Sequence, residues 1–254
     1  HPDLLARGLR GFSAGVELQA QHAALGDEVS IVLNYPKSLE DEIEAVEYFA
    51  RYDGYDDDGD GQTNDWHGYT HDRRYVHHIG KATVAPFFIV WDARTVPDQD
   101  GPMALRALVR LRGGLCYWTP VLDGLEFARG RHRVQMYACR DMPVPFWSRA
   151  SQVRTATIDL PADLSNVESA RLIVKIWDGG EGNMKEPFKI NGHPYSITSG
   201  RAIHDVVHTD TEIDPAHLRP GVNTMTLLSD TEHHGIEVLL PGPCLVIRYA
   251  RPDR

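Results

Sequence analysis

Short alternating runs, each closed by a cluster of Gly, Pro, Asp or Asn, recur along the whole chain. Residues 28–33, 86–91, 104–111, 115–119, 134–139, 155–160, 170–177, 188–190, 224–229, 236–240 and 244–249 all read this way. Alternation with a period of two puts one side chain in two on a buried face, the requirement of a half-covered strand. Ten or more strands with turn signals this close together leave little room for helices and give the pattern of β-sandwiches. The two helical candidates are weak. Residues 4–18 are broken by Gly8, Gly11 and Gly15. In residues 38–52, Leu39, Ile43, Val46 and Phe49 recur at helical spacing behind Ser38 as an N-cap, but residues 45–52 also fit a strand and run into a glycine/aspartate turn, so a strand is expected. The predicted fold class is all-β, with two consecutive antiparallel β-sandwiches. A polar, proline-bearing connector over 141–154 marks the boundary. The expected domains are an N-terminal extension over 1–24, a first sandwich over 25–150 with a long Asp-rich insertion at 53–82, and a second sandwich over 151–254.

Charge and composition exclude several classes of function. Lys plus Arg is 26 and Asp plus Glu 36, a formal net charge of −10 with no Lys/Arg run, so a nucleic-acid partner is not expected. The 42% apolar fraction argues against wholesale disorder, and no stretch approaches the roughly 20 apolar residues of a membrane span. Three cysteines, Cys116, Cys139 and Cys244, make no disulfide framework and no zinc-ribbon spacing. One bridge, Cys116 with Cys139, is the pairing their strand-like positions allow, and buried free thiols are the alternative. No leader pattern is present. The chain opens on His1-Pro2-Asp3, so a removed leader or a place within a longer polypeptide is expected. His1 as a true N-terminus would permit copper chelation, with no other supporting feature.

The most informative segment runs from Asp53 to Asp65. Asp56, Asp58 and Asp60 occupy positions 1, 3 and 5 of a loop with Gly61 at position 6. A hard cation such as calcium takes six to eight oxygens, and this spacing wraps three carboxylates around one centre while the glycine permits the sharp turn. The main-chain carbonyl of Gln62 at position 7 adds a ligand, and Asp65 at position 10, or Asp53 upstream, would complete the shell. The loop resembles the calcium loops of EF-hands, dockerins and thrombospondin type 3 repeats. It departs from them at position 12, where His67 stands in place of a bidentate acid, and in lacking flanking helices. The expected cofactor is structural calcium, stapling a long loop with little core of its own; a solvated acidic loop is the alternative.

Trp66, His67, Tyr69 and His71 follow directly. Ring faces beside polar side chains suit sugars, whose apolar C–H faces stack and whose hydroxyls hydrogen-bond. A second group, Asp230, His233 and His234, precedes the last strand pair, and His204, Asp205 and His208 lie in another connection. Loops at one end of a sandwich converge, so these groups can meet without being close in sequence. The seven residues Trp66, His67, Tyr69, His71, Asp230, His233 and His234 are the expected ligand-binding set. Packing residues or a transition-metal site are the alternatives. No hydrolase or phosphate-loop motif occurs, and no catalytic residue is assigned.

The order of residues 170–178, Ile190-Asn191-Gly192 and Leu218-Arg219-Pro220-Gly221-Val222-Asn223 resembles galactose-binding-like jelly-roll domains over about 100 residues. The first half is similar in pattern to immunoglobulin or fibronectin-like sandwiches. The resemblance implies a secreted or cell-surface bacterial protein that binds a glycan or another extracellular polymer without catalysis. A structural assembly subunit capable of self-association is the second reading. A glycan-active lyase or hydrolase using the histidine loops is the third. Protonating all 13 histidines would take the charge from −10 to +3, so association is expected to change between about pH 7 and pH 5.

Overall fold

A computed structural model describes residues 17–20, 24–68, 79–148, 152–184, 186–197 and 202–251. The chain is all-β and divides into two compact units, one made of residues 1–54 and 63–129, the other of residues 55–62 and 130–254.

The first unit contains β1 (Glu17–Ala20), β2 (Ala24–Leu25), β3 (Glu28–Asn34), β4 (Ile43–Asp53), β5 (Asn64–His67), β6 (Gly80–Ala82), β7 (Phe88–Asp92), β8 (Met103–Leu111), β9 (Cys116–Trp118) and β10 (Leu122–Phe127). One sheet has the order β1-β3-β7, and the other has β2-β10-β8-β4-β5 with β6 on β4 and β9 on β8. Every pairing is antiparallel except β2 with β10. Ile31, Tyr48, Trp91 and Leu105 from the two sheets meet in one core. The strand reading of residues 45–52 holds within β4, because Val46, Tyr48 and Ala50 alternate into that core. The stretch expected as an N-terminal extension supplies an edge strand, β1, on β3.

The second unit contains β11 (His132–Ala138), β12 (Phe146–Ser148), β13 (Arg154–Leu160), β14 (Val167–Asp178), β15 (Phe188–Ile190), β16 (His193–Tyr195), β17 (Asp205–Ile213), β18 (Gly221–Leu227), β19 (Ile236–Val238) and β20 (Cys244–Ala250). Its sheets are β11-β20-β14-β19-β12, with β17 on β14, and β13-β18-β15-β16. In β14 the residues Ala170, Leu172, Val174 and Ile176 are fully buried and face Ile158, Phe188 and Met225 in the second core. Full burial of each such aliphatic or aromatic side chain contributes about 1.5–3 kcal/mol. The units divide at residue 129 rather than near residue 150, because β11 pairs along its whole length with β20.

The three cysteines are free. Cys116 lies in the first unit, whereas Cys139 and Cys244 lie in the second, so the expected Cys116–Cys139 pair is not formed. Burial pushes the Cys139 thiol from 9.0 up to about 11, and burial also raises the hydroxyls of Tyr48 and Tyr55 above their ordinary 10. Each group favours its neutral form in the folded state, while the unfolded chain releases those protons at lower pH. Stability is therefore full below about pH 9 and falls as pH rises through 11. Urea midpoints at pH 8, 9, 10 and 11 check this; a flat series would contradict it.

Candidate functional site

The acidic loop is built from its own main chain. Asp56 is 6% exposed, and its carboxylate accepts the N–H groups of Gly59 (2.6 Å), Asp60 (3.2 Å) and Gly61 (2.8 Å). Asp58 accepts the Asp60 N–H at 3.2 Å, and Asp60 accepts the main-chain N–H of Gln62 at 2.8 Å and its side-chain amide at 3.0 Å. Gly59, at φ 78°, makes the turn that brings Asp60 back beside Asp56. Carboxylate oxygens of Asp56, Asp58 and Asp60 lie within 4.8 Å of one another. Like charges 4 Å apart repel by about 4 kcal/mol near a protein surface. A triad of hard oxygens packed this closely could hold a metal ion. Asp65 lies on β5 in the first unit, and its carboxylate accepts the Trp66 N–H at 2.6 Å.

The loop's packing was not foreseen. Residues 55–62 belong to the second unit, although they connect β4 to β5 in the first. The neck is closed by a hydrogen bond from the Gly54 N–H to the Thr63 carbonyl at 2.9 Å. The buried Tyr55 hydroxyl donates to the Gly242 carbonyl at 2.8 Å and accepts the Lys175 N–H at 3.2 Å. Lys175 is 6% exposed, its ammonium donates to the Asp57 carbonyl at 3.0 Å, and His208 Nδ1 lies 3.9 Å from the Asp57 carboxylate.

Of the aromatic segment after the loop, Trp66 and His67 are engaged elsewhere. The Arg106 guanidinium lies 4.0 Å from the Trp66 ring centroid and 4.2 Å from that of Trp118, so a cation fills the face of Trp66. His67 is 3% exposed, stacks on Tyr52 at 3.9 Å, and its Nε2 lies 2.9 Å from the Tyr52 carbonyl. A histidine enclosed in this way packs the β4–β5 hairpin, a structural setting for a residue expected in the ligand-binding set. Tyr69 and His71 lie outside the described residues.

The histidine loops of the second unit do converge, around a residue the sequence reading left unassigned. Trp177, half-buried, stands at the end of β14 with its ring nearly parallel to that of His204, 5.7 Å away at 8°. His234 closes the group, 5.9 Å from Trp177 and 5.0 Å from His204. Both histidines are exposed, and both have positive φ, 54° each, at the tips of their turns. Glu237 is the register partner of Trp177 on β19 and shares its face of the sheet. Of the other predicted residues, Asp230 is drawn into a bridge with Gly182, its N–H bonded to the Glu181 carbonyl at 2.9 Å. His233 is exposed with its main chain turned onto Thr231. The close approach of the loops depends on Gly179, which donates its N–H to the Gly235 carbonyl at 3.1 Å. The signal for Trp177 was present in the sequence: once 170, 172, 174 and 176 point inward, 177 points outward, and Asp178-Gly179-Gly180 ends the strand there.

No family model matches the chain, and no curated protein matches it. Among solved structures it is similar to a β-porphyranase of glycoside hydrolase family 86 from the human gut bacterium Bacteroides plebeius, at 15% identity and a TM-score of 0.39, over 94% of this chain and 37% of that one. It is similar to an α-L-rhamnosidase from Dictyoglumus thermophilum at 12% identity and a TM-score of 0.27, over 94% and 28%. It is also similar to the fibronectin(III)-like modules of CbhA from Clostridium thermocellum at 12% identity and a TM-score of 0.26, over 85% and 97%. The chain spans about a third of the length of the family 86 enzymes it matches.

Proposed function

We propose that this protein is a calcium-stabilised, non-catalytic carbohydrate-binding protein that works at or outside the bacterial cell surface. The exposed cluster of Trp177, His204 and His234 carries the reading. A tryptophan ring flanked by two imidazoles offers an apolar face for the C–H side of a pyranose, with ring nitrogens and the Glu237 carboxylate at its margin for hydroxyls. Calcium is assigned to Asp56, Asp58 and Asp60, with the Gln62 carbonyl as a further ligand. The ion would neutralise three packed carboxylates and hold a loop that Tyr55 and Lys175 anchor.

Affinity electrophoresis through gels cast with neutral polysaccharides tests this. The wild type is expected to be retarded by at least one polymer, and Trp177→Ala to lose the retardation, a fall of roughly tenfold or more in affinity, since one stacked aromatic ring is worth about 1–3 kcal/mol. No retardation by any polymer, together with concentration-dependent association, would contradict the assignment and favour an assembly subunit.

A further inference from the structure

The second unit holds a pair of sulfur atoms that neither the acidic loop nor the aromatic cluster uses. Cys139-Arg140-Asp141-Met142 leaves β11, and the turn Pro241-Gly242-Pro243 enters β20 beside it. The Cys139 N–H bonds the Pro243 carbonyl at 3.0 Å, and the Gly242 N–H bonds the Leu239 carbonyl at 2.9 Å. The Tyr55 hydroxyl holds the Gly242 carbonyl at 2.8 Å. The turn is therefore fixed, and Gly242, at φ 97°, offers a bare α-carbon. A Cβ there would meet Met142 Sδ at 2.6 Å and Cys139 Sγ at 2.7 Å. The two sulfurs thus converge on the space a side chain would take. They are no farther apart than those two distances laid end to end, and two metal–sulfur bonds of about 2.3 Å span about 4.6 Å, within that limit.

The surroundings of the pair narrow its chemistry. Both residues are half-buried, so an ion from solvent can reach them. The charged residues between them are turned elsewhere: Arg140 pairs with Asp159 at 3.1 Å, and the Asp141 carboxylate accepts the Thr157 hydroxyl at 2.8 Å. Burial, with Asp141 adding to it, keeps the Cys139 thiol protonated at neutral pH, which does not suit a nucleophile. Among the described residues no histidine or carboxylate joins Cys139 in a three-residue ligand group. What remains is one thiol and one thioether, both soft donors.

We propose that Cys139 and Met142 form a two-sulfur site for a soft monovalent cation of the copper(I) class. A thioether is a useful ligand only to soft ions of this kind; zinc asks for four ligands, and calcium and magnesium take oxygen. Binding exchanges a proton for the ion. The S–H bond of Cys139 breaks, a metal–thiolate bond forms, the proton leaves to solvent and Met142 adds a lone pair, so nothing is oxidised or reduced. The site is separate in residues and in chemistry from the acidic triad.

Competition of the full chain against the chromophoric copper(I) chelator bicinchoninate, under reducing conditions, tests it. The wild type is expected to withdraw one copper(I) per chain, with an affinity that rises about tenfold per unit of pH between about pH 6 and pH 8, because one proton leaves the thiol for each ion bound. Cys139→Ser is expected to abolish the withdrawal, and Met142→Leu to weaken it at least about tenfold with the melting temperature little changed. Cys116→Ser is expected to leave it intact. X-ray absorption on the copper-loaded wild type is expected to show sulfur neighbours alone. No withdrawal by the wild type, full withdrawal by Cys139→Ser or Met142→Leu, its loss in Cys116→Ser, or a nitrogen or oxygen shell around the copper overturns the proposal.

Discussion

Adding calcium to protein stripped with EDTA is expected to raise the melting midpoint by about 5–10 °C. A ligand at a hundred times its dissociation constant stabilises the folded state by about 2.7 kcal/mol. For chains of this size each kcal/mol moves the midpoint by roughly 2–4 °C. The effect is expected to be specific to calcium over magnesium. Magnesium demands a tighter octahedral shell and gives up its water reluctantly, whereas a flexible loop of carboxylates and carbonyls suits the larger ion. Asp56→Asn is the sharpest variant. Its amide oxygen can still accept the Gly59 and Asp60 N–H groups that Asp56 holds at Oδ1, but its NH2 group cannot accept the Gly61 N–H that Oδ2 holds, and the charge of the most buried carboxylate is gone. That variant is expected to melt at or below the EDTA midpoint of the wild type and to ignore added calcium. Equal midpoints for wild-type protein with calcium and with EDTA would contradict the ion site.

Gly179→Ala is expected to be a severely damaging substitution in the second unit. A Cβ at that position would meet the His234 carbonyl oxygen at 1.9 Å and the Gly235 carbonyl oxygen at 2.4 Å. Both obstacles are main chain, so the 230–235 connection must move as a whole. Overpacking of this kind costs about 3 kcal/mol, a fall of roughly 6–12 °C in midpoint. Because His234 moves with that connection, binding at the aromatic cluster is expected to disappear with the stability. Gly192→Ala is the control: its φ is left-handed, at 90°, but nothing lies within 4 Å of the added methyl, so only the local backbone strain of about 1 kcal/mol applies. A melting scan that finds the two alanine variants equal would contradict the close-approach argument.

The contrast between those glycines shows what a sequence carries and what it omits. Strands such as β4, β8 and β14 were legible because their burial is local and periodic, and the acidic triad was legible because its carboxylates are nearly adjacent in sequence. The partition of the chain was not. β11 looks like a continuation of the first sandwich until its partner is known, and that partner, β20, lies about a hundred residues onward. The docking of the acidic loop was hidden for the same reason, since Tyr55 finds Gly242 and Lys175, neither of them near in sequence. The aromatic site was half legible. His204 and His234 stood out as loop histidines, but their meeting point, Trp177, reads as one more apolar residue of a strand until the inward register of its neighbours is counted. Trp66 was legible as an aromatic ring beside the acidic loop, but its partner was not: the guanidinium over its ring comes from Arg106 on β8, far along the chain.

The account is tested most directly by saturation-transfer NMR on the calcium-loaded full chain, with aromatic protons irradiated in the presence of an oligosaccharide that retards the protein in gels. Transfer to the pyranose C–H protons is predicted for the wild type and its absence for Trp177→Ala. Transfer of equal strength in both proteins would contradict the site at the end of β14, and with it the central claim.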